Sequence, residues 1–296
     1  MHPYLHGIHI PLITPFTADG AFDPEALEAL AHGVLDDGAA GLVVLGTTGE
    51  PATLDEAEKL AVTEICARVC EERGAVLTVG AGGNDTRGAV RALQELKRWP
   101  RTGAALSIVP HFTRPSEAGV LAHFTELAAH SPVPLIVYHI PYRTGQQLGA
   151  DTLRRLAELP GIAGVKYAPG VLDQDAMAFL GELPADFAVL VGEDALLSPL
   201  LALGASGGIL ASAHLCTARF VELYEAWQAG ELAHARALGH RLARLSATLF
   251  AEPNPTVIKG VLHAQGRIPS AAVRLPLLPA GPAAVATALA AAASLP

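Results

Sequence analysis

The sequence contains no lysine- or arginine-rich run; its 20 basic residues are scattered among 29 acidic ones, for a formal net charge of −9. That balance repels phosphate backbones and anionic headgroups, so it argues against nucleic-acid and membrane-surface partners and leaves small molecules open. Cysteine is scarce as well. Cys66, Cys70 and Cys216 are odd in number with no repeated pair spacing, which fits a reducing cytoplasm better than a disulfide framework. Cys66 and Cys70, four apart, would share a helix face, but a structural zinc needs two further ligands, so packed thiols are the expectation. The start, MHPYLHGIHIPLITPF, lacks the basic region, apolar stretch and small-residue cleavage site of a secretory signal. The nearest approach to an apolar span, 280–296, is mostly alanine with proline near both ends and reads as a C-terminal surface helix. Phosphate-loop and dinucleotide patterns are missing too: GTTGE (46–50) lacks the Gly-Lys-Ser/Thr ending, and GAGGND (80–85) reads as a tight strand-to-helix turn. His2, His6 and His9 have no carboxylate companions, so neither a metal site nor a cofactor is implied.

What the chain does have is rhythm. With 296 residues, 51% of them hydrophobic, it can bury a large core. Eight short runs rich in Val, Ile and Leu recur, at 8–13, 41–46, 75–80, 104–109, 134–138, 162–166, 187–192 and 207–211. They are continuously apolar rather than alternating, as parallel strands are when helices cover one face and side chains fill the other. Between them lie helical patterns with start signals. Asp23-Pro24 supplies an N-cap and first-turn proline for a helix stopping at Gly38, and Thr53 with Glu56 suggests a capping box for the next. The alternation predicts an α/β fold, a (β/α)8 TIM barrel over 1–230, with an appended C-terminal helical segment of about three helices over 231–296 packed on it.

In such barrels chemistry sits at the C-terminal strand ends. Thr47 and Thr48 follow strand 2, HFTRP (111–115) follows strand 4, Tyr138 ends strand 5, Arg143 follows it, and Lys166 ends strand 6. A lysine there is either a rim ion pair or a desolvated nucleophile that forms a Schiff base with a carbonyl. Bringing an ordinary lysine, with a pKa of about 10.4, near 7 takes roughly 4–5 kcal/mol of disfavour for the ammonium, which a barrel interior can supply. Tyr138 suits carbinolamine formation and dehydration because a phenol both gives and takes a proton, although a core tyrosine is the ordinary alternative. Thr47 and Thr48 offer hydroxyls and backbone N–H groups to a carboxylate, or simply a turn. Arg143 could grip a second carboxylate through two hydrogen bonds, or be a solvated loop arginine.

Taken together, ITPF (13–16), LGTTGE (45–50), VPHFTRPS (109–116), VYHIPYRTG (137–145), GVK (164–166), VGEDA (191–195), GGILA (207–211) and EPNP (252–255) resemble the dihydrodipicolinate synthase / N-acetylneuraminate lyase family of pyruvate-dependent class I aldolases. The resemblance implies a cytoplasmic carbon–carbon lyase, without a cofactor, assembled as a homotetramer or dimer. In it Lys166 forms an imine with pyruvate, Tyr138 moves protons beside it, Thr47 belongs to the relay, Thr48 binds the pyruvate carboxylate and the Ile209 backbone contacts bound pyruvate. Arg143 falls where the synthases hold the carboxylate of aspartate semialdehyde, whereas sialic-acid lyases generally lack it. Other implied possibilities are an aldolase or dehydratase for another 2-oxo acid, or a weakly catalytic binding protein. Three departures stand out. Phe112 occupies the position of the family's second relay tyrosine, so the relay would be broken or rerouted through His111, Tyr142 or water. Tyr167 replaces the usual glutamate after the lysine, which bears on the aldehyde. Glu56, Lys59 and His111 differ from the residues that bind lysine in feedback-regulated synthases, so lysine is not expected to inhibit.

Overall fold

A computed structural model describes residues 3–295. Each of the eight apolar runs contributes one strand: β1 (Gly7–Pro11), β2 (Gly41–Val44), β3 (Val76–Gly80), β4 (Thr102–Ile108), β5 (Leu135–His139), β6 (Ile162–Tyr167), β7 (Ala188–Val191) and β8 (Gly207–Ile209). All pair in parallel in chain order, and β8 closes on β1. The protein is a (β/α)8 barrel with helices on its outer face. Two apolar layers explain why the strands do not alternate with polar residues. Val43, Leu106, Ile136, Leu190 and Ile209 fill the interior, joined from the N-terminal side by Leu5, while Ile8, Ile10, Leu42, Val137 and Val165 pack outward in the core shared with the helices.

The helix Pro24–Asp36 starts as its sequence suggests. The Asp23 carboxylate accepts from the Ala26 N–H at 2.9 Å, Pro24 takes the first position, and Gly38 follows the helix with φ +93°. The next helix, Glu56–Arg73, differs from expectation: its capping box is Asp55 with Glu58, not Thr53 with Glu56. Pro51 opens a 3-10 turn that ends at Thr53, whose hydroxyl donates to the Glu50 carbonyl, so the α-helix begins two residues later than Thr53 would set it. Cys66 and Cys70 lie buried on this helix as free thiols, and burial pushes Cys70 up to about 12.

Past the helix Thr217–Gln228, three helices follow: Leu232–Leu249, Thr256–Ala264 and Pro282–Ala293. The first packs on Thr217–Gln228 and on the turn beyond β7, and Pro282–Ala293 packs on the other two, burying Ala288. The link between the last two, 265–281, returns to the mouth of the barrel, where Pro276 and Leu277 line a cavity. Among the described residues no helix is long and apolar enough to cross a membrane.

Candidate active site

Strand register brings the two central side chains together. Tyr138 of β5 pairs with Lys166 of β6, and His139 pairs with Tyr167. Because side chains alternate along a strand, Tyr138 and Lys166 share the inner face, while His139 and Tyr167 share the outer one. Lys166 is 5% exposed, and its Nζ lies 4.3 Å from the centroid of the Tyr138 ring. Burial lowers the amine below its ordinary pKa; Asp194, beyond β7, opposes that pull and Arg143 adds to it. Burial likewise raises the Asp194 carboxyl, although the Ser212 N–H donated to it acts the other way. The Tyr138 phenol is pushed up to about 12 by burial, with Arg143 and the Thr47 hydroxyl pulling it back.

Gly192, in the turn after β7, is what leaves room for the lysine. A Cβ at this position would lie 2.9 Å from Lys166 Cγ, 3.0 Å from Cε and 3.1 Å from Ala168 Cβ. Gly192→Ala is therefore expected to displace the amine and lower kcat/KM by roughly 100-fold, the usual scale for a misplacement of about 1 Å. Steady-state kinetics on the folded variant measure this directly, and wild-type kcat/KM would show that the lysine has slack.

The loop after β2 is a 3-10 turn, Thr47–Gly49, fixed on several sides. Thr14 Oγ1 donates to the Gly49 carbonyl at 2.7 Å, and Thr48 Oγ1 accepts from Asn254 Nδ2 at 2.9 Å. Glu50 closes it at φ +54°, a left-handed conformation that costs a non-glycine residue about 1–3 kcal/mol and persists only when its surroundings hold it. Ile209 is buried in the barrel interior, its β8 backbone running beside that of β1.

Over these residues opens a cavity of about 1150 Å³ whose lining includes Thr47, Tyr138, Arg143, His111 and Asn254. It runs outward past Glu56 and Lys59 towards Trp99, between the helices Glu56–Arg73 and Thr86–Glu95. Arg143 sits in the short helix Pro141–Thr144, its guanidinium 6.0 Å from the Tyr142 ring centroid. Phe112 and Tyr142 are each 89% exposed, and Phe112 has φ +66°. Of the groups considered for a rerouted relay, His111 is the one that lines the cavity; its backbone N–H donates to Asn84 Oδ1 at 2.8 Å.

Tyr167 does not belong to this mouth. It is 3% exposed, stacked on His139 at 5.9 Å and tilted against Phe179 at 5.3 Å, within the core between barrel and helices. Its departure from the family pattern therefore falls in the packing between barrel and helices and not in the lining of the cavity. Gly192, Asp194 and Asn254, by contrast, carry parts of the site that residue type alone did not flag, although VGEDA and EPNP contain them. Among the described residues, which exclude His2, no group of three or more His, Cys, Asp or Glu stands where it could hold a metal ion.

A desolvated lysine on a barrel strand with a phenol beside it is the chemistry of the class I, Schiff-base aldolases. Comparison with known proteins narrows the class. Residues 4–292 match the dihydrodipicolinate synthetase family. A 4-hydroxy-tetrahydrodipicolinate synthase of Clostridium acetobutylicum is 38% identical over 275 residues, 93% of this chain and 95% of that protein. The synthase of Moorella thermoacetica is 40% identical over 267 residues, 90% of each. The crystal structure of a dihydrodipicolinate synthase from Bacillus anthracis superposes with a TM-score of 0.92 at 31% identity, covering 99% of both chains. The chain belongs to the dihydrodipicolinate synthetase family of pyruvate-dependent class I aldolases.

Proposed function

We propose that the protein condenses pyruvate, held as an enamine on Lys166, with aspartate semialdehyde, the 4-hydroxy-tetrahydrodipicolinate synthase reaction. The observation that carries this reading is Arg143 lining the same cavity as Tyr138, with the buried Lys166 amine against the Tyr138 ring. Lys166 Nζ, unprotonated, attacks C2 of pyruvate. The carbonyl oxygen takes one proton as the carbinolamine forms and a second as it leaves as water, Tyr138 giving each and being reprotonated by the two protons that the amine nitrogen loses on becoming the imine. Loss of a proton from C3 then produces the enamine, whose C3 bonds to the aldehyde carbon while the aldehyde oxygen takes up a proton. Water releases the product and restores the amine. Thr47, whose hydroxyl faces the Tyr138 phenol, passes protons along this path, and His111 supplies the polar group that Phe112 cannot. Thr48 and the Ile209 backbone hold the pyruvate end, and Arg143 takes the carboxylate of the aldehyde. Two exposed aromatics on the segments after β4 and β5, Phe112 and Tyr142, support a homo-oligomer in which another copy covers them.

The test is a panel of aldehydes with pyruvate fixed. Aspartate semialdehyde should give the highest kcat/KM, and Arg143→Met should raise its KM by roughly 10–100-fold, the loss of one charge-assisted pair, with the pyruvate imine still trapped on Lys166. No turnover of the semialdehyde, alongside turnover of a sugar-derived aldehyde, would move the protein to another aldolase of the same family.

A further inference from the structure

The loop assigned above to the pyruvate carboxylate is held from the far end of the chain. Glu50, at its close, is 5% exposed, and both carboxylate oxygens are taken by residues more than 200 positions away: Oε1 by Lys259 Nζ, Oε2 by the Arg274 N–H at 3.1 Å. Lys259 is fully buried, donates a second hydrogen bond to the Ala272 carbonyl at 2.9 Å and lies 4.0 Å from the centroid of the Phe16 ring. The Arg274 guanidinium lies 4.3 Å from the same centroid. It also donates to the carbonyls of Gly20 and Thr53 and forms a two-pronged pair with Glu58 at 2.6 Å, so the residues just after the loop are pinned as well.

At the loop itself, Asn254 Nδ2 donates to Thr48 Oγ1. A hydroxyl has one proton to give. With an acceptor site of Thr48 satisfied by the amide, that proton remains for a ligand, and an acid group is what it would meet. Asn254 lines the cavity, so this contact sits at the site rather than behind it.

We propose that Asn254 and Lys259 are positioning residues for pyruvate: Lys259 fixes the left-handed close of the loop through Glu50, and Asn254 sets the direction of the Thr48 hydroxyl proton. The proposal rests on Lys166 forming an imine with pyruvate, and it makes the C-terminal segment part of the substrate-binding machinery. Neither residue touches the reacting atoms, so the effect should fall on the affinity for pyruvate and not on the chemistry once pyruvate is bound.

The experiment uses the full chain and reads the pyruvate concentration that half-saturates the borohydride-trapped adduct on Lys166 by mass. Lys259→Met, which strands Glu50 without its cation, is expected to raise that concentration by roughly tenfold or more while the labelling plateau is unchanged; the paired Glu50→Gln/Lys259→Met, which leaves no buried charge unpaired but still lacks the contact that fixes the loop, should keep a raised value, and a return to the wild-type value would overturn the role of Lys259. Asn254→Ala leaves no buried charge behind and is the deciding variant if Lys259→Met does not fold; its half-saturation should rise by roughly fivefold, the scale of one hydrogen bond. A wild-type half-saturation value in folded Asn254→Ala or in folded Lys259→Met would overturn the proposal, even if the thermal midpoint falls, because that is a structural role alone. An absence of adduct on the wild-type protein would instead remove the imine reading and leave the cause distinguishable.

Discussion

Lys166→Arg should yield no borohydride-trapped pyruvate adduct and should lower kcat by roughly 10⁴-fold or more, as loss of a covalent nucleophile does. The substitution keeps a cation opposite Asp194 and keeps a long aliphatic stem in the space over Gly192, so it tests nucleophilicity with the least disturbance to packing. A guanidinium stays protonated at any working pH and has no free lone pair to give to C2 of pyruvate. In the wild-type protein the sign runs the other way. Burial lowers the Lys166 amine below its ordinary value, so the neutral, attacking form is reached at lower pH than for a lysine in water. The acid limb of adduct formation should accordingly lie below the usual lysine range. Mass spectrometry of the intact variant after reduction checks the adduct, and an equal mass increment on Lys166→Arg would show that another amine carries the substrate.

Tyr138→Phe should lower kcat by roughly 10²–10⁴-fold, the range for losing a positioned general acid and base. The phenyl ring is retained, so the packing of Lys166 Nζ at 4.3 Å from its centroid is preserved and the nucleophile stays in place. What disappears is the hydroxyl. In the wild-type protein burial pushes that phenol up to about 12, so at neutral pH it carries its proton, as the acid–base role proposed for it requires. The expected signature is slow approach to the adduct with a final labelling level close to wild type, because the step affected is the loss of water from the carbinolamine and not the binding of pyruvate. Rapid-quench trapping resolves the two; an unslowed approach would assign the proton transfers elsewhere, with His111 the next group in the cavity.

Much of this was legible in the sequence for a physical reason. Strands covered on both faces need continuous apolar runs, and the eight runs map one to one onto β1–β8. The strand-end rule then placed Thr47, Tyr138, Arg143 and Lys166 around one mouth. Alternation could have gone further: Tyr167, adjacent to an inward Lys166, has to face the helices, and in the fold it packs on Phe179. The capping box was displaced by two residues because Thr53 and Asp55 are both good N-caps and both have a glutamate three positions on; the 3-10 turn from Pro51 decided between them. Asn254 and Lys259 were out of reach of any local pattern. Their partners lie 206 and 209 positions away, and nothing near either residue announces a contact with the loop after β2.

The link that runs back over the barrel mouth also bears on modularity. A fragment ending after the helix that follows β8 would keep every strand, Lys166 and Tyr138, yet lose Asn254, Lys259 and Arg274 together. The strands and the contacts that hold the loop after β2 therefore do not share a boundary in this chain. On the positioning roles proposed for Asn254 and Lys259, exchanging C-terminal tails between relatives is expected to carry part of the substrate site along with the tail, so a chimaera built to alter assembly or stability should alter pyruvate affinity with it.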